Sequence, residues 1–283
     1  MKSSLEIRPI DASFGAVLTG VKLTQLDDAT WRKLYATWLE YALLIFPGQH
    51  LSREEQIAFA KRFGPPEFEL SIVSNVRPDG TLRQDREDDE VVSVLKGNMG
   101  WHTDSTFKAV QAKGAVFSAQ VVPTVGGHTG WADMRASYDA LDPAMKARVA
   151  TLSAYHSYNY SQARIGHRPK EGSEALKYGF TQDAMPLRPL VKVHPETGRK
   201  SLLIGRHAHN IPGLGEAESE ALLQELIDFA CQPPRTYHHD WRAGDVVVWD
   251  NRCLLHRANS PLAGTVHAAL ESPKSYARDH APV

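Results

Sequence analysis

The chain has 283 residues, 42% hydrophobic and 23% charged, with a formal net charge of −1, which suits a globular protein with a sizeable core. A balanced charge without a basic stripe argues against a nucleic-acid or anionic membrane partner. No apolar run resembles a signal peptide or approaches the length of a membrane span, so we expect a cytoplasmic protein.

The first quarter of the chain predicts two capped helices around an apolar strand. Asp27 or Asp28 caps a helix whose apolar residues recur at helical spacing. Residues 43–46 are uniformly apolar and predict a buried strand. Ser52 begins a capping box that opens a second helix.

A polar stretch, 67–98, precedes the first histidine motif. Its acidic run 85–90 is interpreted as a solvated loop, because nothing in the pattern brings the carboxylates together. A loop just upstream of a functional motif can fold over the site, so 67–98 is interpreted as a candidate lid.

His102 and Asp104 form the motif around which we interpret the chain. Two residues apart on an extended segment, their side chains project to one face, where an imidazole nitrogen and a carboxylate oxygen can bind one cation. Such a pair also occurs as an ordinary hydrogen-bonded contact at a strand end. With His256 as third ligand, the set is typical of non-haem Fe(II) oxygenases.

The rest of the chain predicts short strands with few helices. The predicted strands are 115–122, 191–194, 201–204 and 245–249, and the predicted helices are 136–150, restarted at Asp142-Pro143, and 216–230. Residues 156–189 lack a period and are interpreted as a variable insertion that carries substrate specificity. This pattern favours a mainly β fold with flanking helices (α+β), a sandwich or jelly roll, in a single domain over 1–283.

Two cysteines, Cys231 and Cys253, cannot build a disulfide framework and are interpreted as reduced thiols. Cys253 lies three residues before His256, which allows a metal-ligand interpretation. We favour a small buried residue on a strand. Trp101 and Trp249 flank the histidines and are interpreted as core or as the wall of a site.

The chain resembles the taurine dioxygenase family of Fe(II)/2-oxoglutarate-dependent oxygenases, in particular its 2,4-dichlorophenoxyacetate and aryloxypropionate dioxygenase members. The matching blocks span nearly the whole chain in the family's order. They are Ile-Phe-Pro-Gly-Gln at 45–49, Trp-His-Thr-Asp-Ser-Thr-Phe at 101–107, Gly-Gly-His-Thr at 126–129, Gly-Asp-Val-Val-Val-Trp-Asp-Asn-Arg at 244–252 and His-Arg-Ala at 256–258.

The resemblance implies a double-stranded β-helix, or jelly roll, in which His102, Asp104 and His256 hold Fe(II). It implies 2-oxoglutarate and O2 as co-substrates, hydroxylation of a small anionic compound, release of succinate, and a homo-oligomer, dimer or tetramer. Thr129 stands where the family places a threonine that hydrogen-bonds the distal carboxylate of 2-oxoglutarate. His128, where the family usually has Asp, receives no role.

His267 and Glu271 depart from the family, which has at these positions an arginine for that carboxylate and often a second for an anionic substrate. An imidazole matches a carboxylate only weakly, and a glutamate repels it. Lys274 or Arg278 could supply the charge after a local shift, although Pro273 argues against a simple strand register. Arg206 could also supply it, or could be a surface ion-pair residue.

Asn98, just before the metal motif, is the first candidate for orienting the substrate, followed by Tyr158, Asn159 and Tyr160 in the variable segment. Three alternative functions remain open. They are a non-haem iron oxygenase with an unconventional co-substrate, a catalytically silent metal- or ligand-binding jelly roll, and a zinc hydrolase, for which no separate general base is evident.

Overall fold

The structure, a computed structural model, describes residues 5–66, 71–72, 81, 92, 96–122, 126–166, 185–259 and 273–278, with 71–72 and 273–278 described by their backbone alone. Most of the proposed lid lies outside these residues, as does the middle of the proposed insertion. His267 and Glu271 also lie outside them.

The described residues form short strands and six α-helices. The strands are β1 (Glu6–Pro9), β2 (Ala16–Thr19), β3 (Leu43–Phe46), β4 (Ser71–Ile72), β5 (Ala112–Ser118), β6 (Thr129–Asp133), β7 (Ser153–His156), β8 (Leu187–Pro189), β9 (Val191–Val193), β10 (Lys200–Leu202), β11 (Ala208–His209), β12 (Thr236–His239), β13 (Val246–Asp250), β14 (Leu254–Ala258) and β15 (Pro273–Arg278). The helices are α1 (Asp28–Tyr41), α2 (Arg53–Lys61), α3 (Met134–Ala140), α4 (Pro143–Val149), α5 (Tyr158–Ala163) and α6 (Glu216–Ala230).

Two sheets enclose the central core. The larger has the order β1-β2-β3-β13-β5-β15-β4, and the smaller has the order β12-β6-β14. Buried side chains from both sheets meet in one cluster, among them Ile45, Phe117 and Val247 from the larger sheet and Trp131 and Leu254 from the smaller. Two sheets packed over a shared apolar interior form a jelly roll, as expected.

Helices cover the outer faces of this sandwich. Residues of α1 and α2, including Leu34 and Phe59, pack with Phe46 and Val248 on the larger sheet. On the other side, α3 and α6 pack over the smaller sheet, where Leu222 lies in one buried cluster with residues of β6 and β14. The mainly β fold with flanking helices is therefore confirmed. None of the helices among the described residues is long and apolar enough to cross a bilayer.

The helix starts follow local side-chain chemistry. The Asp27 carboxylate accepts a hydrogen bond from the Thr30 amide at 2.7 Å, and Ser52 forms the predicted capping box with Glu55. Asp142 caps α4, with Pro143 at its first turn. These groups occupy amide donors that lack intrahelical partners, which is why the starts could be read locally.

Pro273 is the first residue of a strand, and the residues between His267 and Pro273 lie outside the described part of the chain, so the expectation that Pro273 interrupts a simple strand register stays a prediction. The backbone of 273–278 forms β15, which pairs with β4 and β5. Proline lacks an amide donor, but it is tolerated as the first residue of a strand. Lys274 and Arg278 therefore lie on a strand next to β5, although their side chains are outside the described part of the chain.

Candidate active site

His102 and His256 face each other across a two-residue antiparallel bridge between the metal motif and β14. The His102 amide donates to the His256 carbonyl at 3.0 Å, and the His256 amide donates to the His102 carbonyl at 2.8 Å. Asp104 Oδ2 lies 3.5 Å from His256 Nε2, and Asp104 Oδ1 lies 3.9 Å from His102 Nε2. One ligand atom from each residue lies within 4.8 Å of the other two, so the group can hold one cation.

The segment that carries this motif is extended only at His102, which differs from our expectation. Residues 104–107 form a turn, and Ser105 has a left-handed φ of 57°. The Thr103 hydroxyl ties the start of the turn to the Leu254 carbonyl at 3.2 Å. Asp104 therefore reaches the histidines from a turn and not from the alternation of a strand.

A short hydrogen bond orients the His102 ring. Its Nδ1 lies 2.7 Å from the Gly100 carbonyl oxygen, which can only accept, so the ring proton is on Nδ1. Nε2 then carries the lone pair and faces Asp104. Fixing the tautomer of a metal-binding histidine through its other nitrogen is a common device in metal sites.

The turn between β13 and β14 also contacts the site. Asn251 Nδ2 lies 3.5 Å from Asp104 Oδ2, and Asn251 Oδ1 accepts a hydrogen bond from the Trp249 indole at 2.9 Å. Because that indole only donates, it identifies the oxygen of the amide and turns the NH2 group towards Asp104. The Trp249 ring lies 4.9 Å from the His256 ring, as expected for a wall residue.

A second group, His194, Asp250 and Cys253, has metal-ligand spacing but is an ion-pair centre. Arg252 binds both oxygens of Asp250, at 2.8 and 2.7 Å, and His194 Nε2 lies 3.0 Å from one of them. Burial opposes ionisation of Asp250, yet Arg252 holds its pKa well below the usual value. Burial raises the pKa of the Cys253 thiol. Cys253 is buried as expected, but it lies in the turn and not on a strand.

Thr129 lies on the smaller sheet, two residue pairs along from the pair that contains His256. It opposes Ala258 of β14, while Trp131 opposes His256, so Thr129 and His256 share a face of the sheet. The Thr129 hydroxyl accepts a hydrogen bond from the Trp241 indole at 3.0 Å. The neighbouring His128 lies 2.7 Å from the Asp240 carboxylate.

Arg206 is half-buried beside the metal motif. Its amide donates to the Trp101 carbonyl at 2.9 Å, and its guanidinium donates to the Ser161 carbonyl at 3.2 Å. Among the described residues no carboxylate pairs with it. Burial lowers the pKa of Arg206 to about 10, and its side chain lies against Gly97. A cation in this position is suited to an anionic ligand.

Three rings, Phe107, Tyr158 and His207, form what we call the aromatic wall. The Phe107 ring lies 4.9 Å from His207 and 5.3 Å from Tyr158, and His207 lies 5.9 Å from His102. The Ser161 hydroxyl contacts His207 Nδ1 at 2.9 Å, and burial lowers the pKa of His207 well below its usual value. The wall is therefore uncharged.

The other substrate candidates lie around this region. The Asn98 carbonyl accepts from the Ala258 amide at 2.7 Å, which places its backbone beside β14. Asn159 lies in α5 next to Tyr158, and Tyr160 stacks on His209 at 4.3 Å. The sequence alone assigned no role to His207, Asn251 or Trp241. Each contacts a site residue that is distant in the chain: His207 contacts Phe107, Asn251 contacts Asp104, and Trp241 contacts Thr129.

Comparisons with known proteins identify the family of the chain. A profile of the family described as "Taurine catabolism dioxygenase TauD, TfdA family" matches residues 6–268. The (S)-phenoxypropionate/alpha-ketoglutarate-dioxygenase of Sphingobium herbicidovorans is 68% identical over 259 residues, covering 91% of this chain and 90% of that one. The enzyme of the same name from Delftia acidovorans is 59% identical over 264 residues, covering 91% and 90%. The crystal structure of AAD-2 in complex with Mn(II) and N-oxalylglycine has a TM-score of 0.87 and 34% identity, covering 99% of this chain and 98% of that one.

Proposed function

Since the chain belongs to the taurine catabolism dioxygenase TauD, TfdA family and is an Fe(II)- and 2-oxoglutarate-dependent dioxygenase, we propose that its substrate is a phenoxyalkanoic acid. The observation that carries this proposal is the joining of His102 and Asp104 to His256 in one compact ligand group beside an uncharged aromatic wall. The name of the 68% identical relative supports the choice of an aryloxy acid.

The ligand group fits Fe(II) by its chemistry. Two imidazoles and one carboxylate leave coordination positions open, which is the donor set of non-haem Fe(II) oxygenases. When bound, the iron with 2-oxoglutarate and O2 supplies the oxidising power, and 2-oxoglutarate leaves as succinate and carbon dioxide. The protein's part is to hold His102 by its Nδ1 proton, to keep Asp104 close to both histidines, and to position the two organic acids.

Two different groups are available for the two organic acids. Thr129 offers a hydroxyl to the distal carboxylate of 2-oxoglutarate, as the family resemblance implies. Arg206 lies against α5, which also carries Tyr158 of the aromatic wall. We therefore assign Arg206 to the carboxylate of the aryloxy acid, with the ring against the wall. This revises our expectation that Arg206 binds 2-oxoglutarate and leaves Arg278, on β15, as the candidate cation for the co-substrate.

Hydroxylation at the carbon that carries the ether oxygen would give a hemiketal. Its hydroxyl proton passes to the aryl oxygen as the carbon–oxygen bond breaks, which releases a phenol and a 2-oxo acid. One atom of O2 enters the substrate and the other enters succinate, so the reaction balances without a further reductant. Cleavage of the ether thus needs no additional catalytic group from the protein.

An anaerobic titration of the Fe(II)-loaded protein with 2-oxoglutarate tests the co-substrate. We expect a weak visible charge-transfer band that saturates at micromolar to low millimolar concentration. Turnover with (S)- and (R)-2-phenoxypropionate, followed by succinate and phenol release, then tests the substrate. Asp104→Asn is the control, because it weakens the ligand group at constant size.

The outcomes separate the alternatives. Iron binding without the band would favour an unconventional co-substrate. That alternative arises because His267 and Glu271 stand where the family has arginines. A band without phenol release from either enantiomer would reject the phenoxyalkanoic acid and keep the dioxygenase. A dimer or tetramer, the single domain over 1–283, the lid at 67–98 and the cytoplasmic location stay predictions.

A further inference from the structure

Thr129 and Trp241 form a hydrogen bond whose direction is chemically determined. The Trp241 indole nitrogen can only donate, so the Thr129 oxygen accepts at 3.0 Å. A hydroxyl carries one proton, and accepting this bond directs that proton away from the indole. Among the described residues none accepts the Thr129 proton, so it is available to a ligand.

The turn that carries Trp241 is held by the Asp245 carboxylate. Asp245 Oδ2 lies 3.0 Å from His239 Nε2 and accepts from the Arg242 amide at 3.0 Å. Its Oδ1 accepts from the Gly48 amide at 3.3 Å, and the Gln49 amide donates to the Gly244 carbonyl at 2.7 Å. The two family blocks at 45–49 and 244–252 therefore meet at this turn.

Ring packing fixes the Trp241 side chain as well. Its ring lies 5.0 Å from Phe117 and 4.8 Å from His239, at an angle of 85° to the latter. Trp131, which opposes His256 in the smaller sheet, lies 6.4 Å from it. The indole is thus held by contacts on several sides, and its N–H has a defined direction.

We propose that Trp241 is a positioning residue for 2-oxoglutarate, acting by fixing the Thr129 hydroxyl as a hydrogen-bond donor to the distal carboxylate. This rests on the proposed role of Thr129. Without the indole, the hydroxyl can rotate and donate to backbone carbonyls, as threonine hydroxyls commonly do. A preoriented donor avoids that competition and the entropy of ordering the side chain on binding.

Two dissociation constants test the proposal. That of 2-oxoglutarate is measured on the anaerobic Fe(II) protein by the visible band. That of N-oxalylglycine is measured on the Mn(II) protein by calorimetry. Trp241→Phe keeps an aromatic ring and removes the N–H. We expect it to weaken both ligands about three- to tenfold, the range for one hydrogen bond. Turnover at saturating 2-oxoglutarate and the affinity for the metal are expected to stay near wild type.

A double-mutant cycle identifies the route of the effect. Thr129→Val is expected to weaken both ligands at least as much, and the double variant is expected to match Thr129→Val. Trp31→Phe, in α1, is the matched control and is expected to leave both constants unchanged. Unchanged affinity in Trp241→Phe, or additive effects in the double variant, would overturn the proposal.

A second measurement covers the case in which Trp241→Phe does not fold. The six tryptophans allow selective 15N labelling, and the zinc form of the protein is diamagnetic. The proposal is supported if an indole N–H resonance shifts on N-oxalylglycine binding in wild type but not in Thr129→Val. It is overturned if the indole N–H resonances of the two proteins shift equally. If wild type fails to bind 2-oxoglutarate, the co-substrate assignment fails first. If Thr129→Val binds normally, only the role of Thr129 and Trp241 fails.

Discussion

At the scale of single residues, Arg206 shows most clearly how burial prepares a side chain to bind a ligand. Its guanidinium is half-buried and is bonded to a backbone carbonyl, with no described carboxylate as partner. A guanidinium that is already partly desolvated loses little further hydration when an anion binds, and it offers paired donors to a carboxylate. This is why we assign it to the substrate.

We predict that Arg206→Met raises the KM for the aryloxy acid on the order of tenfold to a hundredfold, because a charge-assisted hydrogen bond is lost. Arg206→Lys should recover part of the loss. The dissociation constant of 2-oxoglutarate should change little. The control is Arg164→Met, since Arg164 is more exposed and pairs with Glu220. If only the dissociation constant of 2-oxoglutarate rises, Arg206 binds the co-substrate and not the aryloxy acid.

At the scale of elements, the turn between β13 and β14 links the two sheets and delivers His256. Arg252 in this turn and Asp250 at the end of β13 are almost fully buried, and the Arg252 guanidinium also contacts Glu196 at 2.5 Å. Glu196 follows β9, so the ion-pair network also attaches the β9–β10 hairpin to the turn. The strand ends around the site are therefore held by charge as well as by apolar packing.

Arg252→Met should lower the free energy of unfolding by about 3–5 kcal/mol, because it leaves the buried Asp250 carboxylate without its cation. Urea unfolding followed by fluorescence measures this. Arg199→Met is the control, since Arg199 pairs with Asp139 at the surface at 3.0 Å. An exposed pair contributes about 0–1 kcal/mol. Equal losses in the two variants would contradict the buried-charge explanation.

At the scale of the whole molecule, buried histidines couple stability to pH. His156 is 1% exposed, and neither of its ring nitrogens has a hydrogen-bond partner among the described residues. Burial, with the charges of Arg188 and His209, lowers the pKa of His156 to about 3. Between that value and its ordinary pKa near 6.5 the unfolded chain binds the proton and the folded chain does not, so stability falls as the pH falls.

For His156 alone we predict a loss of about 2 kcal/mol between pH 6.5 and pH 5, from about 1.4 kcal/mol per pH unit. His156→Phe should flatten the dependence of the unfolding free energy on pH in this window. Both wild type and variant must be metal-free, so that release of a metal does not add to the dependence of the unfolding free energy on pH. An identical slope in the variant would show that His156 is protonated in the folded protein.

Local patterns in the sequence were sufficient for five of the six described helices, for some of the strands and for the jelly-roll class, whereas α5 lies in the stretch 156–189 that shows no period. Helix starts depend on groups three residues apart, as at Asp27 and Ser52, and buried strands such as 43–46 depend on their own composition. The proposed metal ligands His102, Asp104 and His256 could also be named, because two histidines and a carboxylate are typical of non-haem Fe(II) oxygenases, and the structure brings the three residues together.

Only the tertiary structure decided how these pieces act on one another. Asp104 reaches the histidines from a turn at Ser105, because the Thr103 hydroxyl bonds to the distant Leu254 carbonyl and the segment does not continue as a strand. The orientation of the Thr129 hydroxyl by Trp241 arises where two sequence blocks far apart in the chain pack together. Such contacts depend on the summed packing of both sheets, which no short stretch of sequence contains.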